Sequence, residues 1–321
     1  MNGGPELSVV LVNHNGRGCL PAALDALASA TDADRVECLV VDSGSTDASW
    51  EDVARHWPAA SALRFEDNIG FCAGCNRGAE AARGRLVAFV NFDGRVEPGW
   101  DRPLRALLDA DPGVSVATGL LVSPDGATIE AAGLEIAPNT ATFGRLEGAP
   151  RDAGPRTPVE VTAASGALMM VRRDEFLALG GFYEPLFMYG EEADYCLRAP
   201  GRVVLHPDAA IRHDVGHAAG PARSLPRLYH PARNRLVNAA RHQPPLGMAR
   251  AFAASAAFDV LTLAQVRRVD AVRAVLRGWV EGLGAVRHER HARRPDERRA
   301  AARRLVGVRE AVAQQRRLGR V

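Results

Sequence analysis

The stretch Gly181–Cys196, GFYEPLFMYGEEADYC, crowds Glu191, Glu192 and Asp194 together, with Glu184 a little upstream and aromatic residues throughout. Carboxylates this close raise one another's pKa values unless water, a cation or proton transfer accommodates them. An acidic helix N-terminus after a glycine turn would account for them through the helix dipole alone. Residues elsewhere argue for more. Asp42, Asn91 and Asp93 each stand at the end of an apolar run, and His213 lies just beyond Ala209–Ile211. One such carboxylate can bridge Mg²⁺ or Mn²⁺ to a diphosphate, since these cations prefer oxygen ligands and keep substrate phosphates in their shell. A second carboxylate can take the proton of an attacking hydroxyl while the diphosphate leaves. The set suits displacement at a carbon bearing a nucleoside diphosphate. No GxSxG elbow and no HExxH pair occurs, so serine-hydrolase and zincin chemistry do not fit.

Positioning these groups requires a sheet. Leu7–Val12 is a β-branched run ending at Asn13-His14-Asn15-Gly16, and leucines at helical spacing fill Cys19–Ala30. Val36–Val41 is a second strand closing on Asp42-Ser43-Gly44-Ser45-Thr46-Asp47, followed by a helix over Ala48–His56. Leu63–Phe65 reads as a third strand, Gly78–Ala82 as helix, and Leu86–Asn91 as a fourth strand. Alternation of this kind predicts βαβ units, a largely parallel sheet and an α/β fold. Ligands of open α/β sheets bind outside the carboxyl ends of the strands, where Asn13, Asp42, Asn91 and Asp93 fall. Ser45 and Asp47 serve equally as helix caps.

The glycines of Asn68-Ile-Gly-Phe-Cys-Ala-Gly-Cys-Asn-Arg-Gly78 allow close backbone approach. Neither GxGxxG nor Walker spacing is present, which disfavours a dinucleotide enzyme or a P-loop ATPase. Trp100–Ala110 reads as helix, Val114–Val122 as strand, and the Gly- and Pro-rich segment Ser123–Pro158 as hairpins and loops over a sheet edge. Ser165–Val171 is turn then buried strand, Arg172–Leu179 a short helix, Glu191–Ala199 a helix opening on the acids, and Val203–Leu205 a last strand closed by His206-Pro207-Asp208. From Pro226 the chain becomes helical.

Of 321 residues 47% are apolar, which supplies a substantial core, and the net charge is only +2. Arginine provides every fixed side-chain cation, for lysine is absent, and it dominates His288–Val321. That tail reads as a solvated face or as a contact for an anionic membrane surface. It lacks the aromatic platforms of nucleic-acid binding. The N-terminus is not patterned as a secretory signal, and Leu246–Leu263, the nearest approach to a membrane span, carries Arg250 and Asp259. A cytoplasmic location is expected. Five scattered cysteines make a poor disulfide framework, and Cys72-Ala-Gly-Cys75 has no second metal-binding pair, so it reads as small residues in a tight turn.

The segments VVLVNHN, LVVDSGSTDAS, NIGFCAGCNRG, LVAFVNFDGRVEPGW, SGALMMVRRDEFLALGGFYEPLFMYGEEADYCLR and HPDAAIRH resemble, in order, the family 2 glycosyltransferases and within them a rhamnosyltransferase-like branch. The resemblance covers Leu7–Asp214 and extends to YHPARNRLVNAARH. It implies a GT-A fold, a nucleoside-diphosphate sugar donor (dTDP- or UDP-sugar), Mg²⁺ or Mn²⁺, and inversion at the anomeric carbon. A GT-A domain is expected over 1–225, with a nucleotide-binding half to about 122 and an acceptor-side half beyond it, then a helical, Arg-rich region over 226–321.

By the same resemblance, Asn13 and Asp42 fall around the base and ribose, and Asn68, Gly70 and Asn76 in a loop lining the donor site. Asp93 matches the metal-binding acid of the DXD element, which here reads Asn91-Phe92-Asp93 where the branch has Asn-Pro-Asp. His213 resembles a metal or diphosphate ligand, with a structural histidine equally open, and Arg233 could neutralise the diphosphate. Glu191-Glu192 matches a Glu-Asp pair whose second member is the base, which points to Glu192. Glu191 and Asp194 remain alternatives, Asp194 chiefly as an orienting group. The transferred sugar would be a deoxyhexose such as L-rhamnose, and the acceptor a glycan, glycolipid or small molecule. A non-catalytic nucleotide-sugar or glycan binder on the same scaffold is the alternative, motivated by the altered Asn-Phe-Asp element, and a nucleotidyltransferase is a third reading.

Overall fold

The computed structural model describes residues 4–31, 35–56, 60–214 and 224–291, together with Ala301 and Leu305. In chain order the elements are β1 (Leu7–Asn13), α1 (Leu20–Ala30), β2 (Val36–Ser43), α2 (Ser49–His56), β3 (Ser61–Phe65), α3 (Gly70–Ala81), β4 (Leu86–Val90) and β5 (Gly94–Val96). Next come α4 (Asp101–Ala110), β6 (Val114–Val122), β7 (Ile129–Ala131), β8 (Leu134–Ile136), β9 (Thr142–Gly144), β10 (Val159–Val161), β11 (Leu168–Arg172) and α5 (Arg173–Ala178). The chain continues with α6 (Glu191–Arg198), β12 (Arg202–His213), α7 (Leu225–His242), α8 (Pro245–Val266) and α9 (Val269–His291).

The chain divides into two compact units. The first takes Met1–Leu134, Gly144–Phe187 and Ala199–Ala218; the second takes Glu135–Phe143, Met188–Arg198 and Ala219–Val321. This grouping differs from a boundary at 225/226, because α6 and Glu135–Phe143 go with the C-terminal helices.

The first unit is built on one sheet of order β10-β12-β6-β11-β4-β1-β2-β3, with β5 added to β12 and β7 to β6. Parallel pairing holds across β4-β1-β2-β3 and between β6 and β12. Between these two blocks β11 runs antiparallel to both β4 and β6. Every residue of β1, β4 and β6 is buried, as expected of strands covered on both faces. The expected hairpins of 123–158 appear as β7, β8 and β9.

Two local readings change. His206-Pro207-Asp208 does not end a strand, for β12 runs through it with a register shift between Leu205 and Ala210. Pro207 cannot donate to a ladder, so the strand bulges there and resumes pairing at Ala210↔Leu120. That continuation carries His213 to its place opposite Gly94.

The glycine-rich stretch after Asn68 is not a loop. It is helix α3, with Cys72 and Cys75 buried in it as thiols. A Cβ on Gly78 would lie 2.3 Å from Val10 Cγ1, and one on Gly74 would lie 2.6 Å from Val12 Cγ1. The glycines thus let α3 lie directly on β1. Gly78→Ala separates propensity from packing. Alanine favours an isolated helix by ~1 kcal/mol, yet overpacking here should destabilise by about 1–3 kcal/mol. A lower urea midpoint is expected, and a higher one would show that the contact is slack.

In the second unit α7 packs on α9 through Leu228, Ala232, Ala271 and Val275, with Trp279 alongside. Helix α8 is long and apolar enough to cross a membrane by length and composition, though its Asp259 is buried against Arg235. Most of the arginine-rich tail, beyond His291, lies outside the described residues.

Candidate functional site

In the first unit, the parallel register of β1 on β2 sets Asn13 beside Asp42 at their carboxyl ends. Asn13 Nδ2 donates to Asp42 Oδ2 at 2.7 Å and to Ser49 Oγ at 2.8 Å, with Ser45 Oγ at 3.1 Å. Asp42 Oδ1 accepts the Ser45 N–H at 3.1 Å. Both residues are fully buried, so they brace the strand-end turns from beneath. Asn68 Oδ1 accepts from Ser43 Oγ at 3.0 Å and from the Gly70 N–H at 2.9 Å, shaping the entry to α3.

Asn76 takes a different part from the one expected. Its Nδ2 donates to Phe182 O at 2.9 Å and its Oδ1 accepts the Phe182 N–H at 2.8 Å. A carboxamide matches the N–H and C=O of one residue, so Asn76 fastens the segment of chain after Gly181 onto α3.

Past β4 the chain turns through Asn91-Phe92-Asp93 into β5, whose pairing with β12 returns His213 to Asp93. His213 Nε2 is 3.2 Å from Asp93 Oδ1 and 3.3 Å from Asn91 Nδ2, while Nδ1 lies 2.9 Å from both oxygens of Glu130. Burial disfavours a charged imidazole, but Asp93 and Glu130 outweigh it and push the His213 pKa up to about 10. An imidazole backed on one nitrogen by a carboxylate and facing another is a donor set suited to a divalent cation. Asp93 and His213 would supply only two protein ligands, and among the described residues no group of three or more His, Cys, Asp and Glu forms a cage. Mg²⁺ and Mn²⁺ fit such a sparse set because waters and phosphates complete their shells.

In the second unit Glu191 and Glu192 open α6, both nearly buried. Glu192 accepts from Thr142 Oγ1 at 3.1 Å and from the Gly190 N–H at 3.1 Å. Burial raises both carboxyls, and the Glu192 charge raises Glu191 further, well above its ordinary value of 4.5. Like charges this close hold a proton between them. Of the two, Glu191 is raised further, and the hydrogen-bond donors beside Glu192 favour charge on that member of the pair. Glu192, a carboxyl of raised basicity, lines a cavity of about 310 Å³.

Asp194, two positions on, is fully buried and differs from both. Its oxygens lie 2.8 Å from Arg198 Nε, Arg241 Nε and His242 Nε2. Burial opposes its charge, yet Arg198, His242 and Arg241 overcome this and hold its carboxyl well below the usual range. A carboxylate so saturated cannot accept a substrate proton; it anchors α6 to α7 and thereby orients the pair before it.

Helix α7 completes the setting. Asn234 Nδ2 donates to Met188 O at 2.9 Å and Tyr189 O at 2.8 Å, and Asn238 Nδ2 donates to Gly190 O at 2.8 Å. Tyr189 and Gly190 have φ of +67° and +86°, a left-handed path that these amides hold in place. Residues 234, 238, 241 and 242 follow i, i+4, i+7, i+8 spacing, one helix face; the spacing is in the sequence, but the burial of that face is not. Glu130 and Thr142 were missed and had no local signal, since both sit in weakly patterned hairpins. Arg233, expected near the diphosphate, donates through Nη1 to Asn234 Oδ1 at 2.7 Å, and its Nε lies 4.0 Å from Glu281.

The model of Glycosyl transferase family 2 matches residues 8–176. EpsH of Bacillus subtilis (strain 168) is 35% identical over 98 residues, 29% of this chain, and the chain spans about a quarter of that protein, 28%. The N-acetylglucosaminyl-diphospho-decaprenol L-rhamnosyltransferase of Mycobacterium tuberculosis (strain ATCC 25618 / H37Rv) is 29% identical over 258 residues, 68% of this chain and 80% of that one. Among solved structures, S. aureus TarS 1–349 in complex with UDP-GlcNAc superposes with a TM-score of 0.57 at 14% identity, covering 93% of this chain and 90% of that one. Matched by the family model over more than half of its 321 residues, and carrying an α/β GT-A fold with C-terminal helices, this chain belongs to glycosyl transferase family 2.

Proposed function

We propose that the enzyme moves a deoxyhexose, L-rhamnose in the first instance, from a dTDP- or UDP-sugar to an acceptor hydroxyl by one inverting displacement. The observation that carries this reading is Glu192, a buried carboxyl held by two donors beside Glu191 and lining a cavity. Glu192 takes the proton of the acceptor hydroxyl; Thr142 and Gly190 fix the carboxylate's orientation, which matters steeply for such a base. Asn13, Asp42, Asn68 and Gly70 shape the strand-end turns that receive the nucleotide. Asp93 and His213 would hold Mg²⁺ or Mn²⁺, which when bound stabilises charge developing on the departing diphosphate. The name of the mycobacterial relative supports the choice of sugar, and the UDP-GlcNAc bound to TarS supports a nucleotide-sugar donor.

The acceptor would be a glycan, glycolipid or natural product. Peripheral contact with the cytoplasmic face of a membrane is part of the proposal. Val269, Val272, Leu276, Val280 and Leu283 form an exposed stripe on α9, with Arg273, Arg277 and Arg287 also exposed on that helix.

Nucleoside-diphosphate release from dTDP-, UDP- and GDP-sugars, followed with Mn²⁺ and with EDTA, tests the reaction. Metal-dependent release from one donor is expected, and nucleotide binding without turnover in the presence of acceptors would favour the non-catalytic binder. Asp93→Ala should weaken Mn²⁺-dependent nucleotide binding by ~10- to 100-fold and leave binding in EDTA unchanged. Equal Mn²⁺ enhancement in the variant would remove Asp93 from the metal site.

A further inference from the structure

Glu130 stands in β7 between Ile129 and Ala131, both of them buried. The antiparallel pairing of β6 with β7 runs Leu121↔Ala131 and then Val122↔Ile129. One step on β6 therefore spans two on β7, and Glu130 is the extra residue of a β-bulge. Bulges re-aim a side chain, and they recur beside active sites. The backbone here is fixed from the other side as well. The Gly148 N–H donates to Ile129 O and the Ile129 N–H to Ala149 O, both at 2.8 Å. A Cβ on Gly144 would lie 2.5 Å from Glu130 O, so only glycine lets the returning chain pass that close.

The bulge delivers the carboxylate to His213, and all of these residues belong to the first unit. Both Glu130 oxygens lie 2.9 Å from His213 Nδ1. Among the described residues the Glu130 side chain makes no other hydrogen bond or ion pair. Its charge is thus directed at the imidazole alone. The other ring nitrogen, Nε2, lies 3.2 Å from Asp93 Oδ1. The two nitrogens point in diverging directions, so a cation shared by Nε2 and Asp93 would be out of reach of Glu130. Glu130 stands behind a ligand and is not one itself. A carboxylate in that place keeps a proton on Nδ1 and leaves the Nε2 lone pair for the cation. It also holds the ring plane and makes Nε2 the stronger donor.

We infer that Glu130 is a positioning residue of the metal site, acting through His213 to orient Nε2 and strengthen its hold on Mn²⁺. The inference rests on the reading of Asp93 and His213 as the cation's ligands, and it adds the residue on which the strength of that site depends.

The test needs no turnover. Mn²⁺ is titrated into the full chain, alone and with dTDP or UDP, and the free ion is counted by its EPR signal. Glu130→Gln keeps the side chain's size and an oxygen for the Nδ1 proton, and removes the charge. It should weaken Mn²⁺ binding by ~10- to 100-fold, and Glu130→Ala by at least as much. Nucleotide binding in EDTA and the urea midpoint of Glu130→Gln should match wild type. In a His213→Ala background, Glu130→Gln should change Mn²⁺ affinity by less than ~2-fold, because its effect passes through the ring.

Unchanged Mn²⁺ affinity in Glu130→Gln, with Asp93→Ala and His213→Ala both weakened, would overturn the inference and leave the metal site standing. An undiminished effect in the His213→Ala background would make Glu130 a ligand in its own right and overturn it too. So would a parallel loss of nucleotide binding in EDTA, which marks a structural role. If Asp93→Ala and His213→Ala hold Mn²⁺ as wild type does, the metal site itself is misplaced and the inference falls with it.

Discussion

Replacing Glu192 with glutamine is expected to lower transfer by ~10²- to 10⁴-fold, the range for loss of a positioned general base, while nucleotide binding is unchanged. The substitution keeps the side chain's length and an oxygen for the Gly190 N–H, while the Thr142 hydroxyl can turn to accept from the new amide, so it removes the charge with little else. Glu191→Gln leaves the base in place and should cost less. The pH dependence follows from burial. Because Glu192 must be ionised and its pKa is raised, activity should fall on acidification at a pH above 4.5, the ordinary glutamate value. Steady-state nucleoside-diphosphate release across pH checks both points. Retained turnover in Glu192→Gln, or a larger loss in Glu191→Gln, would move the base to another residue.

Asp194 should produce the largest effect on stability. Asp194→Asn leaves Arg198 and Arg241 buried without the carboxylate that both face, and breaking a buried ion pair in this way costs about 3–5 kcal/mol. The sign with pH is fixed by the direction of the shift. The folded-state pKa lies well below the ordinary 3.8, so the carboxylate's stabilisation is present above that value and is lost as pH falls through the folded-state pKa. Urea unfolding at neutral pH should therefore separate wild type from variant widely, and the gap should close in strong acid. A variant of unchanged stability that has lost transfer would return Asp194 to the chemistry.

These two acids stand two positions apart, and nothing in their local sequence distinguishes them. What the sequence by itself determined was whatever depends on neighbours along the chain. The β-branched runs, the polar strand ends at Asn13, Asp42 and Asp93, the helical opening at Glu191 and the order of motifs were all legible, because period and end signals need only a few adjacent residues. The glycines of α3 misled for the same reason. Their lack of a side chain announces close approach, but only contact with Val10 and Val12 shows that what approaches is a helix on a strand.

Tertiary structure decided the partners. Asn13 meets Asp42 across 29 positions, Glu192 meets Thr142 across 50, and His213 meets Glu130 across 83. Strand register and helix packing set each of these pairings. Whether a buried carboxylate becomes a base or an anchor depends on which cations and donors arrive beside it. Two arginines and a histidine come to Asp194, whereas a hydroxyl, an amide N–H and a second acid come to Glu192. The sequence supplied the carboxylates, and the fold set their pKa values apart.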